Sequence, residues 1–175
     1  QVETSMRLAA ELEALELTVH PGHMTLQGRR EESMKLLQDS LEQIGRLSER
    51  IGVDVSLEIM EKIPKEFVTD AQSMKEAAGS RKNQFFYTLD IAHCDSEEEP
   101  FYILDQLKRI SKIHISNRKG GCYHTPLGNG DFSFKEMLPK LLAYGLPLVT
   151  EGYDDSRDFH RFMENTAFLK TNGGL

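Results

Sequence analysis

The sequence predicts an α/β fold built on parallel strands, and two regularities carry that prediction. Short apolar runs of four to six residues alternate with longer segments whose apolar residues recur every three or four positions. Each short run also closes on an acid or a histidine: His20, Glu58, Asp90, His114 and Glu151, separated by 38, 32, 24 and 37 residues. Those separations are the lengths of successive strand and helix units. In a parallel barrel or an open parallel sheet, all five polar ends would therefore emerge at one C-terminal edge, where α/β folds build ligand sites.

Residues 3 to 14 have helical periodicity, and "LELTVH" (15 to 20) is the first strand. Residues 29 to 51 form a long amphipathic helix, with Met34, Leu37, Leu41, Ile44, Leu47 and Ile51 along one face. "VDVSLEIM" (53 to 60) is a strand, 66 to 78 a helix, and "FFYTLDIAHC" (85 to 94) a strand rich in aromatic and β-branched residues. An acidic loop, "SEEEP", leads to a helix over 99 to 109 and a strand "KIHISN" (112 to 117). A helix over 133 to 144, a strand "LPLVTEG" (146 to 152) and a helix over 155 to 170 complete the series. Helices of this length between strands demand parallel crossovers. No linker rich in Ser, Gly or Pro divides the chain, so residues 1–175 read as a single domain.

Composition narrows the function classes. With 39% hydrophobic and 28% charged residues, the chain has the make-up of a soluble globular protein. No apolar run reaches the ~18 residues of a membrane span. The N-terminal "QVETSMRLAAELEALE" has neither the basic nor the apolar region of a signal peptide. Two cysteines, Cys94 and Cys122, are too few for a disulfide framework and point to a reduced, cytoplasmic setting. The net charge of -7 weighs against a broad nucleic-acid footprint, because phosphate binding draws on Lys and Arg. The first residue is not methionine and falls inside helical periodicity, as in a processed or truncated product.

A lone histidine or glutamate at a strand end is more often a rim or capping residue than a ligand. Five in register are harder to dismiss. Carboxylates left charged and unpaired at half-buried strand ends cost several kcal/mol or shift their pKa. A divalent cation is the usual way of keeping two Glu and one Asp ionised side by side. Mixed carboxylate and imidazole ligation suits Mn, Zn, Co or Mg. His93, three residues after Asp90, and His124, in "HTPLGNGDF", stand on the same edge. Pro126, Gly128 and Gly130 suit a tight turn, with Asp131 or Ser133 as the cap of the next helix. His23, beyond the Pro-Gly of "TVHPGH", has the weakest claim.

In this order and spacing, "TVHPG", "SLEIM", "LDIAHC", "KIHISN", "HTPLGNGDFSF" and "LVTEG" resemble the xylose isomerase-like TIM barrels. That superfamily holds sugar and sugar-phosphate isomerases and epimerases and the endonuclease IV group. The resemblance implies a partial TIM (β/α)8 barrel, strands four to eight with their helices, the first three βα units being absent. The complete protein would then have roughly 260 to 290 residues, given ~250 in a typical barrel. It also implies one divalent metal ion held by Glu58, Asp90, His114 and Glu151. Glu58 and Glu151 would be the catalytic pair, one removing a proton next to a carbonyl, the metal stabilising the resulting ene-diolate. His20, His93 and His124 would bind substrate or additional metal. The implied partner is a small sugar or sugar phosphate rather than nucleic acid or membrane, with a homo-oligomer left open. An alternative is an endonuclease IV-like zinc phosphodiesterase acting on abasic DNA, with two or three Zn. Cys122 departs from that branch, which has an aspartate two residues before the histidine at His124. A second alternative is a non-catalytic barrel that serves as a binding module.

Overall fold

The alternation resolves, over residues 1–24 and 29–173 described by a computed structural model, into a parallel sheet with helices packed on one face. Helix α1 (Val2–Glu11) precedes β1 (Glu16–Val19); α2 (Arg30–Ile51) leads to β2 (Asp54–Glu58) and α3 (Ala71–Ala78) to β3 (Phe86–Asp90). Helix α4 (Glu99–Gln106) leads to β4 (Ile110–Ile115). A hairpin of β5 (Asn117–Lys119) and β6 (Cys122–Thr125) follows, then α5 (Phe134–Leu142), β7 (Leu148–Thr150) and α6 (His160–Asn172). The sheet order is β1-β2-β3-β4-β7, every pair parallel. Among the described residues, β1 and β7 do not pair with each other.

The two-residue period of the strands divides the sheet chemically. Val55, Leu57, Leu89, Ile113 and Ile115 face the helices and form one core with Met34, Leu37 and Leu41 of α2. Burying each such side chain contributes ~1.5–3 kcal/mol relative to leaving it exposed. The opposite face is polar. Ser56 Oγ lies 3.1 Å from Thr18 Oγ1 and 2.9 Å from Thr88 Oγ1, and it accepts from Lys112 Nζ at 3.1 Å. Lys112 also pairs with Glu16.

Register keeps the polar strand ends on this second face. Glu58 lies level with Thr88, so Asp90 stands two residues further along its strand. Asp90 is level with His114, and His114 with Val149, which puts Glu151 two residues further again. Offsets of two preserve side-chain direction, whereas a slip of one would turn a ligand to the other face.

Several elements are shorter than their periodicity predicts. Helix α3 starts at Ala71 instead of residue 66, because Asp70 ends the loop as its cap: Ser73 N donates to Asp70 Oδ1 at 2.7 Å, and Asp70 N to Ser73 Oγ at 3.1 Å. Helix α4 ends before Leu107, which adopts an extended backbone and feeds β4 earlier than expected. The stretch "KIHISN" divides after Ile115, its end becoming the first strand of the hairpin. Gly120 and Gly121, with φ of 55° and 87°, supply the two left-handed residues of a tight hairpin turn. Neither expected cap of α5 makes its bond: Ser133 occupies the cap position without a side-chain hydrogen bond, and Asp131 Oδ2 accepts from Gly120 N instead.

Candidate active site

Five polar strand ends meet at the C-terminal edge of the sheet, and four of them converge. Ligand atoms of Glu58, Asp90, His114 and Glu151 all lie within 4.8 Å of one another. His114 Nδ1 is 2.6 Å from Glu151 Oε2, 3.3 Å from Glu58 Oε1 and 3.9 Å from Asp90 Oδ2. These same four atoms are buried and lack a hydrogen bond of acceptable geometry; Thr125 Oγ1 is the only other such atom among the described residues. An orphaned buried polar atom costs ~1–3 kcal/mol, more when charged, so four at one point mark a centre that expects a partner.

The electrostatics agree with that reading. Burial of Asp90, reinforced by the charges of Glu58 and Glu151, raises its carboxyl well above the ordinary range. Burial opposes ionisation of Glu58 too, yet the imidazoles of His114 and His20 bring it down to about 2. His114 is correspondingly carried up to about 10: burial lowers it, and the close carboxylates of Glu151 and Glu58 outweigh burial. Asp90 is thus pushed toward its neutral form and His114 toward its charged one, so protons stand in for a counter-ion in this cluster. A divalent cation would let all three acids ionise and His114 become neutral, and an oxygen-rich set with one imidazole fits such an ion.

The remaining histidines take distinct places. His20 is largely exposed, with Nε2 3.3 Å from Glu58 Oε2, and that contact raises its pKa. His93 is buried; its Nδ1 faces Ile59 O at 2.8 Å and its Nε2 lies 3.7 Å from Glu61 Oε2. His124 Nδ1 lies 3.0 Å from Ser116 Oγ, and the His93 and His124 rings meet edge to face at 5.3 Å. Asp90, His93 and His124 form a second group able to hold an ion. His124 has φ of 60°, uncommon for a residue with a side chain and a strain that the surrounding hairpin must maintain.

The hairpin is held by Asn117, fully buried, whose Nδ2 donates to Leu127 O and Phe132 O and whose Oδ1 accepts from Phe132 N. Gly130 is required there, since a Cβ would fall 2.1 Å from Asn117 Cγ. Cys122 is exposed and belongs to neither ligand group, and His23 is exposed at the rim. The sequence reading missed Glu61, Glu66 and Tyr153, which line a cavity of ≈ 220 Å³ together with His20, His23 and Glu151. The signal in the sequence is position: every loop that follows a parallel strand lies at this edge, its acids included.

A half-barrel parallel sheet with its polar cluster at the C-terminal edge defines a TIM-barrel-type α/β protein. The family model described as xylose isomerase-like TIM barrel matches residues 1–171, and the chain belongs to that family. Among solved structures, a D-tagatose 3-epimerase-like protein superposes with a TM-score of 0.85 at 22% identity, covering 98% of this chain and 67% of that one. The 3-keto-D-glucoside 4-epimerase of E. coli gives 0.72 at 17% identity, over 97% and 69%. An IolI protein with a bound zinc atom gives 0.75 at 15%, over 99% and 68%. The chain thus spans about two thirds of their length, and likeness at these identities establishes the fold. Curated protein sequences give no match. No helix among the described residues is long and apolar enough to cross a membrane.

Proposed function

We propose that the chain carries the metal-binding part of a sugar isomerase or epimerase. The observation that supports this most is the convergence of four orphaned buried ligand atoms, from Glu58, Asp90, His114 and Glu151, within 4.8 Å. What a divalent ion held there supplies is polarisation of a substrate carbonyl and its neighbouring hydroxyl. Glu58 and Glu151 come from β2 and the end of β7, with β3 and β4 between them, so a carbon seated over the cluster offers one face to each. One glutamate takes the proton from that carbon and the other returns it, inverting the centre. His20, against Glu58 Oε2, holds that carboxylate ionised and orients it. The printed names of two similar structures, a D-tagatose 3-epimerase-like protein and a 3-keto-D-glucoside 4-epimerase, are in keeping with this reading.

We read residues 1–175 as one domain whose five parallel strands stand where strands four to eight of a complete barrel stand. Leu15, next to β1, and Val149, in β7, are exposed at the two free edges, which supports that placement.

Solvent-deuterium incorporation into free and phosphorylated ketoses, followed by NMR with Mn-loaded protein, tests the chemistry. Glu58→Gln and Glu151→Gln should each slow exchange by ~10²- to 10⁴-fold, the range for a positioned general acid or base. Exchange at the parental rate in both variants would remove the proposed pair. A second reading, a zinc phosphodiesterase on abasic DNA, draws on the Asp90, His93 and His124 group. Against it stand the charge of -7 and the position of Cys122 outside both groups. Cleavage of an abasic duplex without any ketose exchange would favour it.

A further inference from the structure

At the N-terminal edge of the sheet, where α3 and α4 lead into β3 and β4, a cavity of ≈ 500 Å³ is lined by Lys75, Lys82, Lys108 and Arg109 and, among the described residues, by no acid. Four cations without a counter-charge in one hollow are unexpected in a chain of net charge -7. Acids close by are engaged elsewhere: Glu76 pairs with Arg30, and Glu42 with Arg46 and Arg81. Lys75 Nζ donates to Gln106 Oε1 at 3.2 Å, joining α3 to the end of α4. Arg109 Nε donates to Phe85 O at 2.9 Å, and its guanidinium carbon lies 4.2 Å from the centroid of the Phe86 ring. These contacts fix the fork while leaving both of its terminal NH2 groups without an acceptor among the described residues. Tyr87 also lines the cavity and is 4% exposed, yet its hydroxyl reaches only Lys82 O, at 3.4 Å. Ordinary O–H···O bonds measure ~2.5–3.0 Å, so this buried donor is poorly satisfied.

Lysines present mobile point charges and a held arginine presents a planar fork, and together they are the donor set for phosphoryl oxygens. Leu107 and the Tyr87 ring add an apolar wall. The volume falls within the ~300–1,000 Å³ of small-molecule sites, more than a lone ion fills. We propose that this cavity binds an organic anion carrying several phosphoryl groups, of the nucleoside triphosphate class. Connections at the N-terminal edge of such folds ordinarily serve stability. Stability alone would favour acids among these four cations, because unpaired like charges repel one another. Strand β3 begins at Phe86 and ends at Asp90, so the cavity and the strand-end cluster lie at opposite edges of the sheet. A ligand here leaves the cluster free, and the inference does not rest on the isomerase reading.

Isothermal titration calorimetry of metal-free protein at fixed ionic strength tests the site, with ATP, inorganic tripolyphosphate, inorganic phosphate and adenosine as titrants. ATP should bind one per chain, about 10-fold or more tighter than phosphate or adenosine, each of which meets only part of the donor set. Tripolyphosphate should bind more weakly than ATP, since it leaves the apolar wall uncovered. Lys82→Glu and Lys108→Glu, at exposed positions where folding tolerates a change of charge, should each weaken ATP by about 10-fold, the worth of a hydrogen bond to a charged group. Lys135→Glu, on α5 and outside the cavity, makes the same change of net charge and should leave the affinity unaltered. No binding of ATP would overturn the proposal, and so would equal weakening by Lys135→Glu, the mark of general attraction. Phosphate or adenosine matching ATP would overturn the class of ligand. Tripolyphosphate matching ATP would overturn the organic part and assign the cavity to a bare polyphosphate chain.

Discussion

His114 carries the largest conflict in the site. Its folded value of about 10 stands above the ordinary 6.5 because burial is outweighed by Glu151 and Glu58. The stabilisation this gives is complete below pH 6.5 and is lost as pH rises toward 10. Metal-free protein should therefore lose thermal stability between pH 7 and 10, and His114→Gln should flatten that slope. An equally steep slope in His114→Gln would place the titration elsewhere. A ligating imidazole must be neutral, so metal affinity should rise over the same interval. The residues of this cluster were legible in the sequence because an acid or histidine closing an apolar run is conspicuous. Glu61 and Glu66 were not: Glu66 falls inside the helical periodicity expected from residue 66, and only the loop that replaces that first turn, ahead of the cap at Asp70, brings the two acids to the cavity beside the cluster.

Elements were legible where one local rule dominated. The long α2 is recovered almost residue for residue, because a sustained apolar stripe and Gly52, left-handed at φ of 81°, mark its body and its end. Helix α3 was overextended, since periodicity continues upstream while the Asp70 and Ser73 capping box decides the start. Asp70→Ala should cost ~1 kcal/mol, measured by urea denaturation, the usual loss for an N-cap. Burial raises the Asp70 carboxyl, but the Ser73 hydrogen bonds outweigh it and hold it below its ordinary 3.8. Its stabilisation is present above that value and lost as pH falls through the lower folded one, so the variant and parent should converge in strong acid. A constant difference at every pH would contradict the capping role. The β5 and β6 hairpin was not legible although Gly120-Gly121 suits a tight hairpin turn, because its strands are only three and four residues long and β5 continues the apolar run of β4.

At the scale of the whole molecule, function follows from register. Parallel crossovers bring every strand to the same edge, and offsets of two residues keep Glu58, Asp90, His114 and Glu151 on the polar face while the core forms behind them. The parallel direction of the strands follows from alternation, whereas their order and the stagger between neighbours depend on sheet geometry that no single strand encodes. The central claim is that this stagger builds one cation site. Anomalous diffraction from crystals soaked in MnCl2 addresses it directly. One peak is expected within ~2.0–2.3 Å of Glu58, Asp90, His114 and Glu151, ordinary ligand distances, and it should vanish in Glu151→Ala. Mn density absent from this cluster, or found only at other residues, would contradict the account.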